Sequence, residues 1–420
     1  MYGCFHILIL FFIYLNGDIM SLKKFFKKFV FSFILLLFFC NTSSLFKSYS
    51  LANSLDINAR SYIVLDRKSK QVIIGKNEYS KVKMASTTKI MTATIIIENC
   101  NLNDIVTISK KASRTGGSRL GLKANDKISV LNLLYGLLLC SGNDAAVALA
   151  EHCSGSVPEF CNLMNQKAYE LGLANSHFES PHGLDSDNHY TTAYELALLT
   201  NYALHNEIFS NIVGTQRYTV TINNYSKELH NSNELLGSTN GVYGVKTGFT
   251  NGANRCLVTA CKRNDMDIIC VVLGCDTKKL RGQDSTKLIN YCFDNFRYIN
   301  VEEFLSKKLD EWRSNNINYF NISKGYSNNL CITYENLKTP VIPINKEYFD
   351  NLDVKFSITS QLFAPVWANS IIGQYEISSP NGVVANGNIT ATNTVYKKKA
   401  FFYFFNFFKY YSKILNSINF

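Results

Sequence analysis

The chain has 420 residues, of which 46% are hydrophobic; this allows a large core and more than one domain, and it excludes a mostly disordered protein. Its formal net charge of +11 lies mainly at the ends: residues 1–52 contain five Lys and one Asp, residues 397–420 contain five Lys and no acid, and the segment between them keeps only +2. This distribution argues against a nucleic-acid partner and favours contact between the chain ends and a membrane.

The N-terminal segment has the pattern of a secretory leader. A lysine-rich stretch at 23–28 precedes an apolar run at 29–39, and a polar stretch then ends in Ser50-Leu51-Ala52, with small residues where signal peptidase needs them. We expect translation to start at Met20 and cleavage to follow Ala52, so that residues 1–52 are removed. The alternative is an uncleaved anchor, for which the apolar run is short.

The next segment, residues 55–298, is predicted to be an α+β domain. It opens with a strand hairpin at 61–66 and 71–75. Helices are predicted at 87–98, 130–139, 145–151, 157–171 and 192–205, strands at 244–246, 257–261 and 267–273, and a last helix at 285–293. Strands at both ends of a helical middle imply one antiparallel sheet assembled from distant segments, with a helical lobe inserted between them.

From about residue 299 the pattern changes to short strands separated by Asn, Gly and Ser turns. These strands are predicted at 319–322, 330–333, 354–358 and 373–377, which indicates a small all-β domain over residues 299–393. Residues 394–420 form a basic, aromatic tail that is too short and too interrupted to span a bilayer. It is typical of an amphipathic helix lying in the face of an anionic membrane; the alternative is a tail packed on the protein itself.

The cysteines favour free thiols, and the sequence predicts no metal site. Of 12 cysteines, two fall in the predicted leader, and the others form no C-x-x-C pair and occur mostly in apolar segments such as 268–272. Buried thiols are therefore the preferred interpretation, although disulfide pairing is not readable from sequence. No cluster of His and Cys has the spacing of metal ligands.

Three short motifs, taken together, predict a serine acyl-transfer site. They are Ser86-Thr87-Thr88-Lys89, Ser141-Gly142-Asn143 and Lys246-Thr247-Gly248. Each is weak alone, because the spacing of Ser86 and Lys89 also occurs at Ser80 and Lys83, and a helix cap, a helix-helix turn or a strand end would explain each motif without any chemistry. Their order, spacing and flanking segments carry the prediction.

The chemistry begins with Ser86 and Lys89. Three residues apart at the start of a helix, they share one face, so the hydroxyl is within reach of the amine. A serine hydroxyl is a poor nucleophile until a base takes its proton, and lysine serves as that base only when burial and a neighbouring cation, here Lys246, lower its pKa. The backbone N–H groups of Ser86 and Phe249 are candidate oxyanion donors.

The other two motifs supply proton transfer and binding. Ser141 could pass a proton between the base and the leaving amine, and Asn143 could hold the substrate backbone. Lys246 could neutralise a carboxylate, and Gly248 allows substrate to approach a strand edge closely.

These motifs resemble those of the low-molecular-mass penicillin-binding proteins that are D-alanyl-D-alanine carboxypeptidases. The resemblance extends over residues 58–296 and includes three further segments: Ser118-Arg119-Leu120, Pro181-His182-Gly183-Leu184-Asp185 and Leu273-Gly274-Cys275-Asp276. It implies the penicillin-binding/β-lactamase-like transpeptidase fold and removal of the terminal D-Ala from peptidoglycan pentapeptides through an acyl-serine. It also implies inhibition by β-lactams and no cofactor. The predicted leader and the basic, aromatic tail predict a place at the outer face of the cytoplasmic membrane.

The resemblance also implies a role for each site residue. Ser86 is the nucleophile and Lys89 the general base; Ser141 and Asn143 form the relay and orienting pair. Lys246 with Thr247 clamps the substrate carboxylate, and Arg281, by its spacing after Leu273-Gly274, assists that clamp. The segment 251–256 lacks the Ala-Gly pair common in the family, so its conformation is not predicted.

Two alternatives remain at this stage. A β-lactamase would need an added carboxylate to activate the deacylating water; Glu179 lies in the helical lobe, but nothing in the sequence marks it for that role. A catalytically slow protein that senses β-lactams or binds the cell wall would keep the same motifs. His182 is interpreted as a structural turn residue rather than a catalytic one.

Overall fold

The computed structural model describes residues 55–418 apart from residues 336 and 338. The predicted leader and the start at Met20 lie outside these residues. Up to residue 300 the elements are, in chain order, β1 (Ser61–Asp66), β2 (Val72–Lys76), α1 (Lys89–Asn99), β3 (Ile105–Thr107), α2 (Lys110–Ser113), β4 (Lys127–Ser129), α3 (Val130–Leu138), α4 (Asn143–Ser154), α5 (Val157–Glu170), α6 (Ala193–Ala203), α7 (Glu207–Gly214), β5 (Arg217–Ile222), β6 (Tyr225–His230), β7 (Val242–Thr250), β8 (Asn254–Arg263), β9 (Met266–Cys275), α8 (Lys278–Asn295) and β10 (Phe296–Asn300).

A five-stranded antiparallel sheet with the order β2-β1-β9-β8-β7 is the centre of this region. β1 pairs with β9 from Ser61 opposite Leu273 to Asp66 opposite Ile268, so segments far apart in sequence close one sheet. This confirms the predicted arrangement, in which the helical lobe is inserted between the first two strands and the last three. β7, which carries the third motif, lies at an edge of the sheet.

Both faces of the sheet are covered, which explains the almost continuous apolar sequence of β9. Side chains alternate between faces along a strand: Ile63 and Val271 pack into the core shared with the helical lobe, while Val64 and Val272 pack with Leu288 of α8 on the opposite face. All of these side chains are fully buried.

The structure contains elements that the sequence patterns did not predict. The helix α7 and the hairpin of β5 and β6 lie in residues 206–241, where no element was expected. Asn223 at the hairpin turn has a φ of 51°, a conformation that Asn tolerates better than most residues. α8 starts at Lys278, seven residues before the predicted start, because its polar first two turns show no apolar period; the Thr277 side chain accepts from the Leu280 N–H to cap it.

After residue 300 most of the strands are short, as expected, but two have nine and ten residues and the region is not all-β. Helix α9 occupies Val301–Asn315, where Val301, Leu305 and Leu309 recur every four residues and are buried. The remaining elements are β11 (Asn321–Ser323), β12 (Ile332–Tyr334), β13 (Val341–Asn345), β14 (Asp353–Ile358), β15 (Gln361–Phe363), β16 (Ile371–Ser379), β17 (Gly382–Ala391) and α10 (Ala400–Ile418). The largest sheet of this region has the order β12-β17-β16-β14.

The tail forms the helix α10, and its aromatic side chains are exposed to solvent from Phe401 to Tyr411. Rings four residues apart touch along the helix, as between Phe401 and Phe405. Within residues 55–418, no helix has the length and apolar content needed to cross a bilayer.

Candidate active site

Ser86 and Lys89 lie where a buried turn becomes a helix. Residues Ala85–Thr88 form a 3₁₀ turn, and α1 begins immediately at Lys89. The Lys89 Nζ lies 2.9 Å from the Ser86 Oγ. Ala85, just before the serine, has a φ of 49°, which is costly for a residue with a Cβ and typical of functional turns.

The environment of Lys89 disfavours the charged form of its amine. The side chain is fully buried, and the Nζ also lies 2.7 Å from the Asn143 Oδ1 and 2.8 Å from the His182 carbonyl oxygen. No carboxylate is among its hydrogen-bond partners in the described chain. Burial, and then the positive charge of Lys246, hold the pKa of Lys89 well below its usual value.

A neutral Lys89 has two N–H donors and one lone pair. The Asn143 Oδ1 and the His182 carbonyl can only accept, so they take the two N–H bonds. In that state the lone pair would face the third partner, the Ser86 Oγ, which lies 2.9 Å from the Nζ. This arrangement can remove the serine proton.

The second motif connects α3 and α4. Ser141 has a φ of 61°, and its Oγ is buried with no hydrogen-bond partner in the described structure. Because buried hydroxyls are normally paired, this one is available to a bound substrate. Asn143 is fixed in orientation by its Nδ2, which donates to the Gly116 carbonyl at 2.7 Å.

Asp144, the residue directly after the second motif, holds the loop beside the site. Its buried carboxylate accepts from the backbone N–H groups of Leu120, Gly121 and Leu122 at 2.8, 2.8 and 3.0 Å. The Asn143 N–H donates to the Ser118 carbonyl in the same loop. The sequence signal for this role was an acid directly after the second motif, followed by an apolar run in the same helix.

The third motif brings β7 against the catalytic turn. A Cβ built on Gly248 would lie 3.1 Å from the Ala85 Cβ and 3.2 Å from the Ser86 nitrogen, so a side chain here would push the strand off the turn. Lys246 is buried, and burial is the largest cause that lowers its pKa to about 7, with a smaller contribution from Arg281. The Thr247 hydroxyl pairs with that of Ser232 at 2.7 Å.

Phe249 and Arg281, which were also predicted to belong to the site, lie less directly at Ser86. The Phe249 ring is half exposed beneath the Arg255 guanidinium, whose carbon is 3.6 Å from the ring centre. Arg281 was expected to contact a substrate carboxylate, but the structure pairs its buried guanidinium with Glu234, with the Nη2 2.7 Å from the Oε1. It is therefore not brought together with Ser86 by any hydrogen bond.

The loop at 181–185 completes the site from the helical lobe. The Cβ position of Gly183 is only 2.0 Å from the Ala85 carbonyl oxygen, so glycine is required there. His182 contributes its carbonyl, while burial, and then Lys89, lower the pKa of its ring to about 3. Asp185 accepts from the Thr250 hydroxyl at 2.7 Å and the Gly252 N–H at 2.9 Å, which fixes the turn after β7 whose conformation the sequence left open.

His189 supports the catalytic turn from behind. Its Nδ1 accepts from the Glu179 backbone N–H, so the Nε2 carries the proton and donates to the Thr88 Oγ1 at 2.7 Å. The Thr88 hydroxyl in turn donates to the Ala85 carbonyl. This network stabilises the residue with positive φ next to Ser86.

The fold and this geometry define a class: serine acyl-transfer enzymes with a buried lysine beside the serine. In the described part of the chain, no group of three or more His, Cys, Asp or Glu side chains could hold a metal ion.

Comparison with known proteins identifies the family. The sequence model of the D-alanyl-D-alanine carboxypeptidase family matches residues 48–277 of this chain. The D-alanyl-D-alanine carboxypeptidase DacF of Bacillus subtilis (strain 168) is 31% identical over 88% of this chain and 94% of its own length, and DacC of Escherichia coli (strain K12) is 32% identical over 76% and 79%. The chain belongs to the D-alanyl-D-alanine carboxypeptidase family and is a serine peptidase.

Solved structures agree with this. The D-alanyl-D-alanine carboxypeptidase DacD from Francisella tularensis aligns with a TM-score of 0.71 at 25% identity, covering 85% of this chain and 98% of its own. Penicillin binding protein 5 from Haemophilus influenzae aligns with a TM-score of 0.66 at 28% identity, covering 82% and 99%. The predicted penicillin-binding fold is confirmed.

Proposed function

We propose that this chain removes the terminal D-Ala from peptidoglycan stem peptides ending in D-Ala-D-Ala, and that Ser86 is the residue acylated. The observation that carries the proposal is the buried Lys89 amine 2.9 Å from the Ser86 Oγ, with a pKa held well below its usual value by burial and by Lys246. β-Lactams would acylate the same oxygen.

In acylation, the Ser86 Oγ attacks the carbonyl carbon between the two D-Ala residues as its proton passes to Lys89. The oxyanion is stabilised by the N–H groups of Ser86 and Phe249. The C–N bond then breaks, and the leaving amine takes a proton from Lys89 through the Ser141 hydroxyl, which has no competing partner in the described structure.

In deacylation, Lys89 takes a proton from water as the water attacks the ester carbonyl. The Ser86–acyl bond breaks, Ser86 recovers its proton, and the shortened peptide leaves. Glu179 does not suit a lactamase-type base, because its exposed carboxylate accepts from the Ser186 hydroxyl rather than facing Ser86.

Substrate binding uses the free side of the edge strand β7. An extended peptide can pair with it as an added strand. Lys246, in its ammonium form, neutralises the terminal carboxylate with help from the Thr247 hydroxyl, and the Arg281 charge supports the clamp from behind without being released from Glu234.

We further propose that the protein acts outside the cytoplasmic membrane. Residues 1–52 would direct export, and α10 would lie in the membrane face, with Lys398, Lys399 and Lys409 near anionic headgroups and the exposed rings at the interface. Binding of the full chain to anionic vesicles, lost when Phe401, Phe404 and Phe408 are replaced by Ser, tests this role of the tail.

The activity test measures D-alanine release from a D-Ala-D-Ala pentapeptide and covalent labelling by penicillin. We expect both in the wild type and neither in Ser86→Ala. Ser80→Ala is the matched control, because exposed Ser80 also precedes a lysine by three residues; it should keep both signals. A stable penicillin adduct on Ser86 without D-alanine release would instead support a sensing or wall-binding protein.

A further inference from the structure

A collar of exposed aromatic and basic side chains surrounds the start of α10. Its members are Tyr326, Phe363, Trp367, Tyr396, Lys324 and Lys397. Each of the four aromatic side chains is more than half exposed to solvent, and the Trp367 and Tyr396 rings meet edge to face with their centres 6.1 Å apart. Large apolar side chains that cluster on a surface mark a contact with another molecule or with a membrane.

Backbone pairing brings three distant segments together in the collar. Val366 and Val395 pair in an antiparallel bridge, and so do Gly325 and Lys397. The strand β15, which ends at Phe363, pairs with β11. The collar is therefore part of the folded second domain and not an extension of the tail.

Contacts of the collar also fix the place where α10 begins. The Lys398 N–H donates to the Lys324 carbonyl at 2.8 Å. The Phe402 ring, in the first turn of α10, meets the Tyr326 ring edge to face with the centres 5.8 Å apart. Because the collar adjoins this first turn, a surface that receives α10 along its length also reaches the collar.

The charge of the collar suits an anionic surface. The segments that form it, residues 323–331, 361–370 and 392–399, contain four Lys and no Asp or Glu. By contrast, α9 in the same domain exposes four acidic side chains. Trp and Tyr are enriched at the interface of a bilayer, where their rings lie among the headgroups, and Lys side chains there extend their amines to the lipid phosphates.

We propose that the collar lies in the headgroup region of the same anionic membrane face as α10, so that the folded second domain contacts the bilayer directly. This inference rests on the proposed membrane contact of α10 and adds a second contact to it. Two linked contacts bind more tightly than either alone, and together they would hold the second domain in one orientation relative to the bilayer.

The chain offers a local reporter of this contact, because Trp312 and Trp367 are its two tryptophans. Trp312→Phe in the full chain leaves the fluorescence of Trp367 alone. The probe is a vesicle of phosphatidylglycerol and phosphatidylcholine in equal parts, made with or without bromine near the headgroup end of the acyl chains. On binding, the Trp367 emission should shift to shorter wavelength, and the brominated lipid should quench it.

The matched control places the reporter on the other domain. Tyr169→Trp, in a chain that also carries Trp312→Phe and Trp367→Phe, puts one tryptophan at an exposed ring position on α5. Its emission should neither shift nor be quenched when the chain binds. Cooperative thermal unfolding of each variant checks that it is folded.

Vesicle sedimentation measures the affinity separately. Lys324→Gln should weaken binding about fivefold, because a lysine near an anionic surface contributes to attraction. Lys307→Gln removes the same charge from the acidic surface of α9 and should leave binding unchanged. Equal effects of the two variants would show that only net charge matters and would overturn the proposal.

The two measurements also separate this inference from the proposed role of the tail. Vesicle binding with unshifted, unquenched Trp367 emission would overturn the collar contact and leave the role of α10 intact. No vesicle binding at all would overturn both. A shift of Trp367 emission that depends on protein concentration and occurs without vesicles would show that a second copy of the chain covers the collar, and would overturn the membrane contact.

Discussion

Two buried basic side chains in this protein, Lys89 and Arg281, have opposite environments. Lys89 contacts a hydroxyl, an amide oxygen and a carbonyl, and has no carboxylate among its hydrogen-bond partners. Arg281 is equally buried, but Glu234 pairs with it. A buried charge without a counter-ion is unfavourable, so burial lowers the pKa of the lysine, whereas arginine keeps its charge and takes a partner. The comparison shows that one fold buries one basic side chain with a carboxylate partner and another without one.

The largest effect should come from removing the amine of Lys89, which has no carboxylate partner. Lys89→Met should lower the rate of Ser86 acylation by roughly 10³-fold or more, because no other described group faces the hydroxyl as a base. Lys89→Arg, which keeps a cation but cannot accept the proton, should be nearly as slow. Lys83→Met is the matched control, since Lys83 also follows a serine by three residues. Wild-type acylation in Lys89→Arg would show that charge rather than basicity matters.

The next prediction removes the carboxylate partner of the buried Arg281. Glu234→Gln leaves the Arg281 guanidinium buried without its carboxylate and should reduce the free energy of unfolding by about 3 kcal/mol. Denaturant unfolding measures this. Glu311→Gln, which disrupts the exposed pair with Lys308, should cost less than about 1 kcal/mol. Equal losses in the two variants would mean that burial does not distinguish these pairs.

A smaller effect should follow from Asp144→Asn. The amide has one oxygen for three backbone N–H groups and turns an NH₂ toward them, so we expect a loss of about 2 kcal/mol in unfolding free energy. D-alanine release should fall with it, because the 116–122 loop positions Asn143. Asp187→Asn, at a fully exposed carboxylate, controls for the lost charge and should change neither quantity.

The smallest effect is on pH dependence, which should differ between the steps that rely on Lys89 and on Lys246. The base must be neutral, so acylation falls as pH decreases through the lowered pKa of Lys89. The clamp must be charged, and the pKa of Lys246 is about 7, so KM for a D-Ala-D-Ala peptide should rise up to about tenfold per pH unit above that value. A peptide ending in D-alaninamide lacks the carboxylate and should show no such rise. The same rise with both peptides would exclude Lys246 as the clamp.

Particular residues show what the sequence could predict. The strand at 61–66 and the helices near 130–138 and 157–170 were predictable because their apolar period is strong and local. The hairpin of β5 and β6 was missed because its outer face is polar and exposed. Helix α9 was missed because the Asn- and Ser-rich turns after it dominated the composition of that region.

In the site, the motifs predicted the positions of Ser86, Lys89, Ser141, Asn143 and Lys246 because the chemistry requires those residue types in that order. The contributions of the His182 carbonyl and of Asp185 had no local signal, since a backbone oxygen has no residue identity and an acid in a turn is common. Arg281 was chosen by spacing, and spacing does not reveal that Glu234 pairs with it.

The sequence alone determined which chemical groups are present and where the strands and helices with strong apolar periodicity lie, because motif chemistry and apolar periodicity are local properties. Only the tertiary structure decided that Lys89 is buried without a counter-ion and that Arg281 has one. These facts depend on which distant segments pack together, and the desolvation that sets the pKa of a lysine arises only once that packing has excluded water.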